Sequence, residues 1–211
     1  MLPGPRPRWR GVSHRIAFVV AFVAGLALIA HARDGRAAAA CAIYVALLAG
    51  MFGVSALLHG ADWGPRAFGW LRRADHAMIF AFIAGTYTPL CAIGVGGAIG
   101  ARLLALVWTG AALGMVRALL WPHAPRAVTS TLYVAVGWLV VMYLPSVRAA
   151  LDPIAFACVI AGGAFYTIGA LVYLARWPDP SPAVFGFHEV FHLVIIAGSA
   201  CHFVAIARVV S

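Results

Sequence analysis

Two histidines four residues apart, His188 and His192, are the residues of this sequence best suited to chemistry. They open the last apolar segment, where a helix would carry both imidazoles on one face because four residues make about one turn. This spacing suits two ligands of a single metal ion. The alternative is a pair of interfacial histidines bonded to neighbouring carbonyls, but polar groups in membrane spans are costly and usually functional. The metal hypothesis therefore requires further ligands elsewhere in the chain.

The same stretch, residues 188–192, also fits the H-E-x-x-H pattern, in which Glu189 would be the general base of a metalloprotease. The pattern is short, so chance matches are common. No carboxylate follows Glu189 to complete the site, and the extended form of the motif needs glycine and histidine where Ile195 and Gly198 stand. The sequence therefore disfavours a protease.

The composition is that of an integral membrane protein. Of 211 residues, 64% are hydrophobic and 10% are charged, whereas soluble domains are about a quarter charged. The net charge of +9 comes from arginine alone, and the arginines cluster between apolar runs rather than in a stripe with aromatic residues. Nucleic acid is therefore excluded as a partner, and the charge indicates orientation in the membrane.

Seven apolar segments follow a Pro- and Arg-rich tail, residues 1–11, that we predict to be disordered. Each segment is long enough, or nearly so, to cross about 30 Å of hydrocarbon as a helix. The first also resembles a secretory signal, but its apolar run is longer than usual, so we retain it as a helix. We predict one all-α transmembrane domain, residues 12–211, with helices near Ile16–Ala32, Ala37–Leu58, Ala77–Ile99, Leu103–Trp121, Val128–Leu144, Ile154–Ala175 and Val190–Val210.

The arginines are unevenly divided between the two ends of these helices. The amino-terminal side carries ten and the opposite side five, and arginine-rich loops stay in the cytoplasm. We therefore predict a multi-pass protein of the cell membrane with a cytoplasmic amino terminus and an external carboxyl terminus. The ten are Arg6, Arg8, Arg10, Arg15, Arg66, Arg72, Arg73, Arg117, Arg126 and Arg176; the five are Arg33, Arg36, Arg102, Arg148 and Arg208.

Seven spans bring four distant polar residues to the same, cytoplasmic, side. His59 ends the second predicted helix, Asp75 starts the third, and His188 and His192 start the seventh. Three imidazoles leave one position of a tetrahedral zinc ion open for water, which zinc activates as a nucleophile. Asp75 could orient that water, and Ser55 lies one turn before the first of these histidines on the same helix face.

Each of these residues also has an ordinary explanation. His59 could be an interfacial residue, Asp75 the cap of its helix, and Ser55 a partner of its own backbone. Their coincidence at one membrane depth favours the site. The other histidines are weaker candidates, because His202 lies about 21 Å along the helix from His188 and suits a helix-to-helix hydrogen bond. His76 points away from the Asp75 face, and we interpret His14, His31 and His123 as interfacial or loop residues.

Four stretches of the chain, residues 55–59, 75–89, 163–169 and 188–203, closely resemble the hemolysin III family of the progestin and adiponectin receptor superfamily. The resemblance extends from about His14 to the end of the chain. It implies seven helices, a cytoplasmic amino terminus, and zinc bound by the family's three motif histidines, which fall on His59, His188 and His192. Asp75 and Ser55 match the motif aspartate and serine, whereas Glu189 matches no motif position that we know.

The resemblance leaves three functional hypotheses. The shared Ser, Asp and His pattern is similar to that of alkaline ceramidases, which implies zinc-dependent hydrolysis of lipid amides or esters in membrane lipid homeostasis, with membrane lipid as the partner. A sensor or regulator with structural zinc is the second. The third is a cytolytic pore, which the family name suggests but which uniformly apolar spans disfavour. Pro89 is expected to kink the third helix near the site. The oligomeric state stays open.

Overall fold

Seven membrane-length helices make up the protein in the computed structural model, which describes residues 7–211. In this part of the chain the predicted all-α fold is confirmed: the seven spans are present, with no strand beyond an isolated bridge between Ser181 and Phe185. Residues 1–6 of the predicted tail lie outside the described residues. The helices are α1 Val12–Ala30, α2 Gly35–Gly60, α3 Pro65–Val95, α4 Gly97–Leu120, α5 Arg126–Ala150, α6 Pro153–Ala175 and α7 Phe187–Val210.

Short polar signals begin several of these helices. The Asp34 carboxylate accepts a hydrogen bond from the backbone N–H of Ala37 at 2.8 Å and caps α2. Asp152 caps α6 in the same way, accepting from the N–H groups of Ile154 and Ala155, and Pro153 occupies the first turn. Asp152 also pairs with Arg208 at 2.9 Å, which joins the start of α6 to the end of α7.

Helix α3 begins at Pro65 rather than at the predicted Ala77. The apolar pattern missed its first turns because they are rich in polar and basic residues, although Gly64 and Pro65 are a typical helix start. Asp75 therefore lies ten residues inside the helix and does not start it. This position rules out the interpretation of Asp75 as an ordinary helix cap.

The regular α-helix of α3 ends at Pro89, and a π-helical turn, Leu90–Val95, completes the span. Proline has no N–H to bond the carbonyl of Gly85, so an irregularity at this point has a direct cause. Pro89 is fourteen residues from Asp75, about 21 Å along the helix. The irregularity of the helix is thus at the expected residue, Pro89. The prediction that this irregularity lies near the metal ligands is wrong.

Helix α5 is also irregular. Its middle, Trp138–Tyr143, is a 3₁₀-helix between two α-helical parts. The hydroxyl of Tyr87 on α3 donates to the carbonyl of Gly137 and accepts from the N–H of Val140, so α3 bonds α5 where its pitch changes. The indole of Trp138 donates to Thr167 on α6 at 2.9 Å. Polar side chains therefore connect α5 to both neighbours.

Small residues let neighbouring helices approach closely. A Cβ on Gly25 of α1 would overlap Val45 of α2, and one on Gly114 of α4 would overlap the ring of Phe80 on α3. Helices α6 and α7 pack by the same means, because a Cβ on Gly162 would strike His202. Close contact between small residues is a main source of helix association in lipid. The result is a bundle whose amino-terminal end gathers the starts of α1, α3, α5 and α7 and the ends of α2, α4 and α6.

Candidate metal centre

Three histidines from two helices converge at the amino-terminal end of the bundle. His59 lies in the last turn of α2, and His188 and His192 lie in the first two turns of α7. One ring nitrogen from each lies within 4.8 Å of the corresponding nitrogens of the other two. The structure thus brings together the three predicted ligands, although 129 residues separate His59 from His188.

The spacing of these nitrogens fits a metal ion. The Nε2 atoms of His59 and His188 face each other at 3.2 Å. Two nitrogens bound to one tetrahedral zinc ion, at about 2.0–2.1 Å each, would be about 3.4 Å apart. His192 is only 1% exposed, and its Nδ1 has no hydrogen-bond partner among residues 7–211. The donor set and its geometry therefore suit zinc.

Ser55 and Asp75 lie beside the histidines. Ser55 is buried, and its hydroxyl is directed toward the carboxyl group of Asp75 on the next helix. Both residues line the same cavity as the three histidines. The two predicted catalytic residues therefore share one chamber with the candidate ligands.

The chamber is one end of a long cavity of about 510 Å³, within the usual range for small-molecule sites. Its lining residues on α3 extend from Phe68 to Val95, about 40 Å along the helix at 1.5 Å per residue. The surface of the cavity is mostly apolar. It can hold a long apolar chain with one polar end near the histidines.

Glu189 stands between two of the candidate ligands in sequence but is engaged elsewhere. Its Oε1 lies 2.7 Å from the Nε of Arg10, and its Oε2 accepts the backbone N–H of Gly186 at 2.9 Å. The carboxylate therefore caps α7 and pairs with the segment before α1. These bonds account for a carboxyl group at 1% exposure without a role as a protease base.

His14 is a residue that the sequence analysis missed. It was predicted to be interfacial or in a loop, but it lies in α1 and is 3% exposed. Its ring stacks on that of His192, with centroids 3.6 Å apart and planes 12° from parallel, and the edge contact with Phe52 completes its surroundings. The sequence offered one sign of this contact: α1 and α7 are both odd-numbered spans, so both start on the same side of the membrane.

The other histidines lie outside the metal cluster. His202 donates from Nε2 to the carbonyl of Val159 at 3.1 Å, which confirms the predicted helix-to-helix bond. His76 lines the cavity but is not one of the three clustered residues. His31 and His123 are exposed, at the end of α1 and in the loop before α5.

The chain is similar to known proteins over most of its length. The family model described as Haemolysin-III related matches residues 5–203. Hemolysin-3 of Bacillus cereus is 30% identical over 195 residues, which cover 91% of this chain and 86% of that protein. A Hemolysin-3 homolog of Bacillus subtilis (strain 168) is 30% identical over 129 residues, covering 61% of this chain and 58% of the homolog. The chain is therefore a member of the haemolysin-III-related family, within the progestin and adiponectin receptor superfamily.

Proposed function

We propose that the protein is a zinc-dependent hydrolase of lipid amides or esters that acts within the membrane and serves membrane lipid homeostasis. One observation carries the proposal: three clustered histidines and a carboxyl group stand at the polar end of a long apolar cavity. A lipid is the substrate class with matching shape, because its chain suits the apolar part and its polar linkage would lie beside the histidines.

Each residue has a defined part in this proposal. His59, His188 and His192 would hold zinc, which when bound supplies a Lewis acid and an activated water. Asp75 acts as the base that orients and deprotonates the attacking water, and Ser55 holds its carboxyl group in place by a hydrogen bond. The surrounding apolar walls keep bulk water from the reacting bond.

The proposal also states on which side of the membrane the candidate site lies. The candidate ligands lie at the end of the bundle where α1 begins. Ten of the fifteen arginines belong to that side, so the positive-inside rule assigns it to the cytoplasm. Substrate would then enter from the inner leaflet of the cell membrane.

The test combines metal analysis with lipid turnover on the purified, detergent-solubilised protein. We expect about one zinc per chain and release of fatty acid from a panel of ceramides and glycerolipids. Asp75→Asn should keep its zinc and lose at least about 100-fold in rate, the range of general base catalysis. Wild-type protein that folds and binds zinc but hydrolyses none of these lipids would refute the enzyme, and would leave a sensor with structural zinc.

Cell lysis is a second candidate because the names of the two Bacillus relatives described above include the word hemolysin. Dilute protein added to dye-loaded liposomes tests it directly. Rapid, zinc-independent release with a sharp size limit would establish a pore and replace the hydrolase proposal. Leakage that is absent, or that appears only with lipid hydrolysis, supports the enzyme.

A further inference from the structure

Two arginines line the histidine end of the cavity. Arg72 lies on α3, three residues before Asp75, and Arg126 is the first residue of α5. Arg72 is partly buried, unlike the exposed Arg66 one and a half turns earlier. Arg126 is itself exposed, and both arginines line the chamber that holds the candidate ligands.

Neither arginine has an acidic partner in the part of the chain that the structure describes. Within residues 7–211, ion pairs join Arg10 to Glu189, Arg33 to Asp34 and Arg208 to Asp152, and none includes Arg72 or Arg126. Asp75 is the sole carboxylate among the described residues that line the cavity. With a divalent ion on the histidines, the polar end of the cavity would carry a clear excess of positive charge.

An aromatic side chain positions one of these charges, and the other acts on a histidine of the cavity wall. The guanidinium of Arg126 lies over the ring of Tyr173, 5.0 Å from its centroid, close enough for its charge to act on His188. The charges of Arg72 and Arg117 both act on His76 in the cavity wall. Arg117 does not line the cavity, and its guanidinium lies over the ring of Phe80, 6.0 Å from the centroid.

Polar and apolar parts of the cavity therefore match the two parts of an anionic lipid. Arginine binds phosphate and carboxylate groups by charge-assisted hydrogen bonds, often two at once. The remainder of the cavity wall, including Ile79, Ile83 and Leu90, is mostly apolar over several helical turns. A free anion would use the arginines and leave this apolar length empty, whereas a lipid would fill both.

We propose that Arg72 and Arg126 bind the phosphate or carboxylate headgroup of an anionic lipid whose chains occupy the apolar part of the cavity. This site extends the proposed function by naming the substrate class, but binding requires no turnover. An anionic headgroup at the arginines places the adjoining linkage about one helical turn away, at the level of Asp75.

The experiment measures binding of two ether-linked lipids that the proposed hydrolase cannot cleave. Dioctyl phosphatidic acid and uncharged dioctylglycerol are titrated by calorimetry into full-length protein in a neutral maltoside detergent, with and without zinc. We expect the phosphatidic acid to bind at least about tenfold tighter in both conditions, equivalent to about 1.4 kcal/mol. Arg72→Gln and Arg126→Gln should each reduce the preference severalfold, and the double variant should abolish it.

Two further variants control for charge and folding. Arg148→Gln removes an arginine that lies over an aromatic ring, Phe156, at the opposite end of the bundle, and should leave the preference intact. Arg72→Lys keeps a charge and should retain part of the preference. Unchanged binding of the uncharged lipid shows that the variants are folded.

Three outcomes would overturn the proposal. The first is equal affinity for the two lipids, and the second is a preference that survives in the double variant. The third is displacement of the phosphatidic acid by inorganic phosphate at equal concentration, which would assign the site to a free anion. Failure of the hydrolase proposal looks different: arginine-dependent binding would persist, with no turnover of ester-linked substrates.

Discussion

Loss of the ion pair between Arg10 and Glu189 should destabilise the protein more when the arginine is replaced than when the glutamate is replaced. Arg10→Gln would leave a carboxylate that is 1% exposed without its partner 2.7 Å away. Breaking a buried pair in this way costs about 3–5 kcal/mol of the free energy of unfolding. Glu189→Gln should cost less, about 1–3 kcal/mol, because the amide oxygen can still accept from Gly186 and the 22% exposed arginine can gain water.

Thermal unfolding of the detergent-solubilised variants measures this difference. For a chain of this size Arg10→Gln should lower the midpoint temperature by roughly 6–20 °C, at about 2–4 °C per kcal/mol. The double variant should lie close to Glu189→Gln alone, since no buried charge remains. Arg15→Gln is the matched control, because this exposed neighbour on the same helix end should change the free energy of unfolding by less than about 0.5 kcal/mol.

The same variants test the chemical role of Glu189. If this residue only caps α7 and pairs with Arg10, Glu189→Gln keeps both its zinc and its turnover below the unfolding temperature. A Glu189→Gln protein that is as stable as wild type, retains zinc and has lost all turnover would refute the structural role. That result would support the alternative in which Glu189 is the general base of an H-E-x-x-H motif.

Three further predictions concern the candidate centre and its packing. His188→Ala should abolish zinc binding measured by mass spectrometry, whereas His202→Ala should retain about one zinc per chain; equal loss in both would remove the basis for the assigned ligands. His14→Ala should weaken zinc binding about tenfold in a chelator competition, and His14→Phe, which preserves a stacked ring, should recover most of that loss. Gly162→Ala should lower the free energy of unfolding by about 1–3 kcal/mol because its Cβ would overlap His202, whereas Gly137→Ala, with no atom within 4 Å, should not.

The sequence by itself determined the seven helices and the common level of the three histidines. Apolar length is a local property, so it marked every span, including α7 that carries His188 and His192. The number of spans then assigned each helix end to a side of the membrane. His59 and the pair on α7 were thereby placed at one level without any knowledge of packing, and Ser55 followed from its spacing on the same helix.

Tertiary structure alone decided the features that depend on contacts between distant segments. The start of α3 at Pro65 lies in polar turns, where an apolar pattern has no signal. The stack of His14 on His192 and the pairing of Arg10 with Glu189 require α1 to pack against α7, nearly the whole chain away. The cavity has the same origin, because it is a space that several helices leave between them. The length of a helix and the spacing of residues along it depend on residues that are close in sequence. The shape of the space between helices depends on how all of them pack.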